Sequence, residues 1–258
     1  MDKVKPKKSL GQHFLTDKQL AQKIVRTLTA PENAQVVEIG PGMGILTQYL
    51  VEKFPSFRVV EIDSEAVAFL TERFENRLTI IHQDVLAWQP AKDLQPDAYL
   101  IGNLPYNISS PIFFHLLENK IYVKEGVFMI QKEVAERICA KAGNKTYGIL
   151  SVLLGYYYEL KYEFSVPPSV FSPPPKVMSA VLSMKRRENV ADITFSDFKR
   201  VVKAAFNQRR KTLRNALKGL AINDFEGKEK LLDLRAEQLQ IADFIHITQH
   251  LLIEKNTL

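Results

Sequence analysis

The residues best placed to do chemistry lie in Ile101-Gly-Asn-Leu-Pro-Tyr-Asn-Ile-Ser-Ser-Pro111. Asn103 brings a side-chain carbonyl and Leu104 a backbone carbonyl, two hydrogen-bond acceptors on adjacent residues. Pro105 fixes the turn that follows, so both are held before any ligand arrives. Such a pair suits an amine attached to an aromatic ring, whose lone pair is delocalised and therefore a poor nucleophile. Accepting both N–H groups draws the nitrogen toward sp³ geometry and aims its lone pair at an electrophilic methyl group. A sulfonium is already a good leaving group, so the chemistry calls for neither a metal nor a strong base. Tyr106 adds a ring on which a target base can stack. Taken singly, each of these residues reads better as part of a structural turn, with Tyr106 as packing.

A second segment, Gly40-Pro-Gly-Met-Gly44, follows the apolar run Val36–Ile39. Its glycines let bare backbone and a helix N-terminus come close to a ligand. The spacing is Gly-x-Gly-x-Gly, not the Gly-x-Gly-x-x-Gly of a dinucleotide site. Glu61, about 20 residues on, ends the next apolar run, where an acid can hold a ribose diol. These features alone would also fit a nicotinamide oxidoreductase. Asp84, in His82-Gln-Asp-Val-Leu86, adds a carboxylate after a third run that could accept from the amine of an adenine ring. By itself Asp84 reads better as a cap or turn residue. Joined, Gly40, Gly42, Glu61 and Asp84 resemble the class I methyltransferase pattern and point to S-adenosylmethionine as cofactor.

The elements around these residues must hold them together. Runs at Val36–Ile39, Phe57–Ile62, Leu78–Ile81, Ala98–Ile101 and Gly126–Ile130 alternate with helical patterns, which predicts a mostly parallel sheet covered on both faces. Tyr156–Phe164 and Val177–Leu182 look like closing strands, separated by the proline-rich Val166–Lys176, an ordered extended loop. The charged stretch Lys185–Asp192 reads as a linker, and everything beyond it as helical. The expected architecture is α/β, a Rossmann-like seven-stranded domain over 1–188 and a small all-α domain over 189–258.

The chain has 258 residues and one cysteine, Cys139, so no intramolecular disulfide can form. No apolar run reaches the roughly 18 residues of a membrane span, and the N-terminus lacks the apolar core of a secretory signal. A cytoplasmic, membrane-free protein is expected. The net charge is +6, concentrated at Lys3, Lys5, Lys7 and Lys8 and in eight Lys or Arg residues between Phe198 and Leu220, with no acid among them. In that second run a helical stripe of Phe195, Phe198, Val202, Ala205 and Phe206 leaves Arg209, Arg210, Lys211, Arg214 and Lys218 facing solvent, a plausible phosphate-binding face. His246 and His250 stand i, i+4 but lack the intervening Glu of a zinc-protease helix, so no metal site is expected. Trp88 and Tyr156–Tyr158 read as packing.

The chain resembles the ribosomal RNA adenine N6,N6-dimethyltransferases of the KsgA/RsmA type over nearly its whole length. Segments that carry the resemblance are Lys8-Ser-Leu-Gly-Gln-His-Phe-Leu15, Val37-Glu-Ile-Gly-Pro-Gly-Met-Gly44, Asn103–Pro111, Phe171-Ser-Pro-Pro-Pro-Lys-Val177 and Phe206-Asn-Gln-Arg-Arg-Lys-Thr-Leu213. The resemblance implies dimethylation of two adjacent adenines in a 16S rRNA hairpin during small ribosomal subunit biogenesis, by a monomer. It implies that His13 and Leu15 touch the cofactor near its methionine end and that Gly40 approaches it by backbone. Glu61 would bind the ribose, Asp84 the adenine amine, and Asn103 both cofactor and target. Phe171 would stack on the target base opposite Tyr106. His13 is a departure, since the family usually has Asn there. Three other readings compete: an antibiotic-resistance 23S rRNA methylase or a DNA adenine methylase, a ribosome-assembly or transcription factor that kept the fold without catalysis, and the nicotinamide enzyme. DNA enzymes usually carry Asp/Asn-Pro-Pro-Tyr where this chain has Asn-Leu-Pro-Tyr.

Overall fold

The computed structural model describes residues 4–188 and 190–252; Lys3 of the basic cluster and Asn189 of the expected linker lie outside them. In chain order the elements are β1 (Phe14–Leu15), α1 (Lys18–Thr27), β2 (Val36–Ile39), α2 (Thr47–Lys53), β3 (Phe57–Glu61), α3 (Ser64–Phe74), β4 (Thr79–His82), α4 (Pro90–Asp93), β5 (Ala98–Asn103) and α5 (Ser109–Glu118). There follow β6 (Val123–Gln131), α6 (Lys132–Ile138), α7 (Ile149–Tyr157), β7 (Tyr158–Val166), β8 (Phe171–Ser172), β9 (Ser179–Arg186), α8 (Phe195–Asn207), α9 (Leu213–Ala216), α10 (Lys228–Leu232) and α11 (Ile241–Gln249).

The chain forms two compact units. The first runs to Ala135 and takes up Leu160–Arg186; the second is Glu136–Glu159 with the chain from Arg187 onward. The observed units therefore differ from the expected division at 188: residues 136–159 group with the C-terminal helices, and the boundary falls after Arg186. The reason is aromatic packing, since Tyr147 meets Phe206, Tyr156 meets Phe198 and Tyr157 meets Phe195.

In the first unit a seven-stranded sheet has the order β4-β3-β2-β5-β6-β9-β7. The ladders joining β4, β3, β2, β5 and β6 are parallel, and β9 is antiparallel to β6. Val36, Val59, Ile101 and Val127 are buried as strands covered on both faces must be. Helix starts are capped locally, by Asp17 accepting from Leu20 N at 2.9 Å in α1 and by Asp63 accepting from Glu65 N at 3.0 Å in α3. Chain order reverses between β2 and β5, and in such sheets a crevice opens at the carboxyl ends of the strands beside that switch.

The second unit is helical apart from the start of β7. Phe198, Val202, Ala205 and Phe206 of α8 are buried as the periodicity requires. Two expectations are corrected here. Tyr156 and Tyr157 end helix α7, and β7 begins at Tyr158, because Leu150–Leu154, apolar except for Ser151, whose hydroxyl donates to Arg137 O, is buried on every side as a helix. The basic run is not one helix: α8 stops at Asn207, a turn closed by Lys211 N donating to Gln208 O follows, and α9 starts after Thr212. His246 and His250 of this unit pack against Phe225.

Candidate active site

Residues from the ends of β2, β3, β4 and β5, together with the N-terminal stretch Ser9–Phe14, line one cleft of about 230 Å³. His13, Gly40, Gly42, Glu61, Asp84, Asn103, Leu104, Pro105 and Tyr106 all stand on its wall. Leu15 and Phe171 do not. They face each other across the two-stranded ribbon of β1 and β8, and both side chains are buried in the hydrophobic core, 5% and 4% exposed. Successive strand residues point to opposite sides, so it is Phe14 that reaches the cleft, a residue the motif reading passed over. The expectation of a Phe171 ring opposite Tyr106 is corrected accordingly.

Gly42 has φ +54°, and a Cβ there would stand 2.8 Å from the Phe14 ring, so the turn and its contact both require glycine. The Gly42 N–H donates to Glu61 Oε2 at 3.2 Å, while Ile62 and Asp63 N–H donate to Oε1 at 2.9 Å each. Glu61 is buried, which raises its carboxyl above the usual range, and the three backbone donors pull it back. A carboxylate has about four lone-pair sites, so three donors leave it room for a hydroxyl from the cleft. Asp84 Oδ1 accepts from Leu86 N at 2.9 Å, the turn role that an isolated Asp suggests, and its other oxygen accepts nothing from the described residues. Ile62 and Leu86, each within two residues of one of these acids, are exposed apolar side chains on the cleft wall that can sandwich a flat ring. The adjacency of apolar residue and strand-end acid was the signal for them.

Beneath the cleft lies Glu38, fully buried in β2, accepting from Thr47 Oγ1 at 2.7 Å. Burial first, and then the charge of Glu61, push its carboxyl up to about 8, against the hydroxyl bond that lowers it. Its folded value lies above its unfolded one, so its contribution to stability is present below pH 4.5 and lost as pH rises toward 8. Glu38→Gln keeps the shape and the acceptor without the titration. It should raise stability by roughly 3 kcal/mol at pH 7 and by little at pH 4.5, read by denaturant unfolding at both pH values; an equal gain at both would refute the account.

At the other end of the cleft Asn103 Nδ2 donates to His13 O at 2.9 Å. A carbonyl only accepts, so the amide nitrogen faces His13, and Oδ1 remains an unused acceptor among the described residues. Leu104 N donates to Met129 O at 3.0 Å, anchoring the residue to β6, while its carbonyl receives no bond from the described residues. The Tyr106 hydroxyl pairs with Ser179 Oγ, and burial pushes the phenol up, keeping it neutral. His13 Nδ1 lies 2.8 Å from Pro173 O and must carry the proton there; its ring centroid is 5.3 Å from that of Tyr106.

The N-terminal wall is strapped down through Asp63. Lys7 Nζ reaches Asp63 Oδ1 at 2.6 Å and Glu65 at 3.1 Å, and Gln12 Nε2 donates to Asp63 Oδ2 at 3.0 Å. Burial would raise the Asp63 carboxyl, but Lys7, Gln12 and the Glu65 N–H outweigh it and hold it below the usual range. These partners are more than 50 residues apart in sequence, and no motif marks them.

In the helical unit the four predicted RNA-contacting residues separate into two kinds. Arg209 donates to Lys145 O at 2.7 Å and Tyr147 O at 3.3 Å and pairs with Glu237 at 3.2 Å. Arg214 is held between Glu229 and Asp233, at 2.8 Å from each. Arg210 and Lys211 are exposed on the turn, and their side chains make no hydrogen bond or ion pair among the described residues.

Comparison with known proteins places the chain in a family. The ribosomal RNA small subunit methyltransferase A of Cytophaga hutchinsonii is 48% identical over 256 residues, covering 97% of this chain and 99% of that protein. The protein of the same name from Porphyromonas gingivalis is 47% identical, covering 96% and 98%. Among solved structures, a dimethyladenosine transferase from Plasmodium falciparum superposes with a TM-score of 0.80 at 23% identity over 93% of this chain and all of that one. The 23S rRNA methyltransferase ErmE does so at 0.69 and 22% identity, over 92% and 99%. At those identities the two structures speak for the fold alone, that of a class I methyltransferase. The model of the ribosomal RNA adenine dimethylase family matches residues 3–252, and the chain belongs to that family.

Proposed function

We propose that this enzyme transfers methyl groups from S-adenosylmethionine to N6 of two adjacent adenines in a 16S rRNA hairpin, giving N6,N6-dimethyladenosine during small-subunit biogenesis. The observation that carries the reading is the pair of unspent acceptors, Asn103 Oδ1 and the Leu104 carbonyl, at the end of a cleft whose far wall is built for a nucleoside. The residues fit the cofactor. Glu61 has room for a ribose hydroxyl, Asp84 has an oxygen for the adenine amine that accepts nothing from the described residues, Ile62 and Leu86 can flank the ring, and Gly40, Gly42 and His13 line the path toward Asn103. When bound, the cofactor supplies a methyl group on a sulfonium, which leaves as a neutral thioether.

The protein's own contribution is placement. Tyr106 receives the unstacked target base, which favours a hairpin loop over duplex. Asn103 and Leu104 accept from the two N–H groups of its amine, and Pro105 keeps them from relaxing away. With the amine held by these two acceptors, its lone pair would be aimed at the methyl group that the bound cofactor would supply, and the surplus proton would leave to water. No step needs a metal. The enzyme acts as a monomer in the cytoplasm, where its RNA is.

Of the four predicted RNA-contacting residues, Arg210 and Lys211, whose side chains have no partner among the described residues, are the two available to phosphates. Replacing both by alanine should weaken RNA binding and reduce its logarithmic salt dependence by about 1.5, with melting unchanged. Replacing Arg209 or Arg214 should instead lower the melting temperature. Titrations at several salt concentrations check this, and an unchanged slope for the Arg210/Lys211 double variant would return that turn to a merely solvated surface. The reaction itself is tested by transfer of labelled methyl groups to small ribosomal subunits lacking the modification. Labelled N6,N6-dimethyladenosine among the nucleosides is the expected product; bound cofactor without labelled RNA would overturn the substrate assignment.

A further inference from the structure

Ser179 is a fully buried polar residue that no motif singles out. It opens β9, where its Cα stands opposite Gln131 of β6, so the ladder holds its backbone. Its hydroxyl pairs with that of Tyr106, and no other hydrogen bond reaches it among the described residues. A buried hydroxyl without a partner is costly, so a serine at this place is matched to the tyrosine. Tyr106 itself sits in the turn after β5, closed by Ile108 N donating to Pro105 O at 3.2 Å. The bond at the far end of its ring restrains the ring from swinging. His13, held to Pro173 O, packs beside the same ring as a second restraint.

We propose that Ser179 is a positioning residue for methyl transfer: by pinning the Tyr106 hydroxyl it presets the ring as a platform that keeps the target base in register for the second methylation. The proposal rests on Tyr106 being the platform for adenine, as argued above. The reason the second transfer is singled out is chemical. An unmodified adenine amine offers two N–H groups, one to Asn103 Oδ1 and one to the Leu104 carbonyl. Once a methyl group is attached only one N–H remains, so one of the two acceptors loses its grip. Orientation then depends more on how firmly the base is stacked, and that depends on how firmly the ring is held. The neutral phenol suits this role, since its hydroxyl can either donate to the serine or accept from it.

The test compares the wild-type enzyme, Ser179→Ala, Tyr106→Phe and the double variant in single-turnover transfer to unmodified small subunits. Rates of the first and second transfers, the ratio of N6-methyl to N6,N6-dimethyladenosine, cofactor affinity and melting are read for each. Ser179→Ala should slow the second transfer about tenfold more than the first, so that monomethyladenosine accumulates, while cofactor affinity stays within about twofold. Tyr106→Phe removes the other half of the same bond with the ring kept, and should behave alike. The double variant should be no worse than either single one, because both delete a single interaction. A wild-type product ratio in Ser179→Ala overturns the proposal, and so do multiplied losses in the double variant. Should Ser179→Ala fail to fold, Tyr106→Phe decides by the same ratio. A wild-type enzyme that methylates no adenine would instead sink the proposed reaction, and this inference with it; a wild type that dimethylates beside an unaltered Ser179→Ala refutes this inference alone.

Discussion

Asn103→Ala is expected to lower methyl transfer about 10³-fold, with the fold intact. The carboxamide oxygen is the acceptor that the structure leaves free, and its nitrogen is turned away by the bond to His13 O. Removing a preorganised polar group from a reacting centre costs roughly 3–4 kcal/mol of transition-state stabilisation, more than any loss of ground-state contact here can explain. The lost bond to His13 is worth about 1 kcal/mol, so melting should fall by only a few degrees. Turnover at saturating RNA, cofactor titration and thermal melting separate these effects. Near-normal turnover would refute the role of Asn103. A loss confined to cofactor affinity would move that role from the amine to the cofactor.

The second large effect is expected from Glu61→Ala. The one hydroxyl bond that the carboxylate has room for is worth about 1.5–3 kcal/mol, so cofactor affinity should drop roughly 10- to 10²-fold. The variant also orphans the N–H groups of Gly42, Ile62 and Asp63, so melting should fall as well. A pH dependence follows from the same burial. The Glu61 carboxyl is raised, so in the free enzyme it takes up a proton at a higher pH than an ordinary glutamate. A protonated carboxyl accepts fewer bonds, so cofactor affinity should weaken as pH falls, beginning above the usual carboxylate range. Calorimetric titration across pH checks both statements. Affinity that is flat with pH, or a Glu61→Ala variant that binds normally, would remove Glu61 from the cofactor site.

Much of this protein is legible in its residues because local rules govern them. The runs Val36–Ile39 and Ala98–Ile101 could only be buried strands, and a glycine-rich turn after the first of them needs positive φ at Gly42 whatever surrounds it. Asn103-Leu-Pro-Tyr places two acceptors and a ring by spacing alone. Those are properties of neighbouring residues, and they sufficed for the fold class and for the positions on the cleft wall.

Other features depend on which side chains meet across the fold. Whether Phe171 faced ligand or core was decided by its pairing with Leu15 across the β1–β8 ribbon, which buries both. Whether Arg209 and Arg214 were free for phosphates was decided by Glu237, Glu229 and Asp233, well away in sequence. The sequence alone determined the chemistry this chain can carry, because acceptor, ring and glycine act through their own covalent structure. Only the tertiary structure decided which groups remain available for it. A hydrogen bond or ion pair made within the protein uses up the same lone pair or charge that a ligand would need, and those partners come from distant elements.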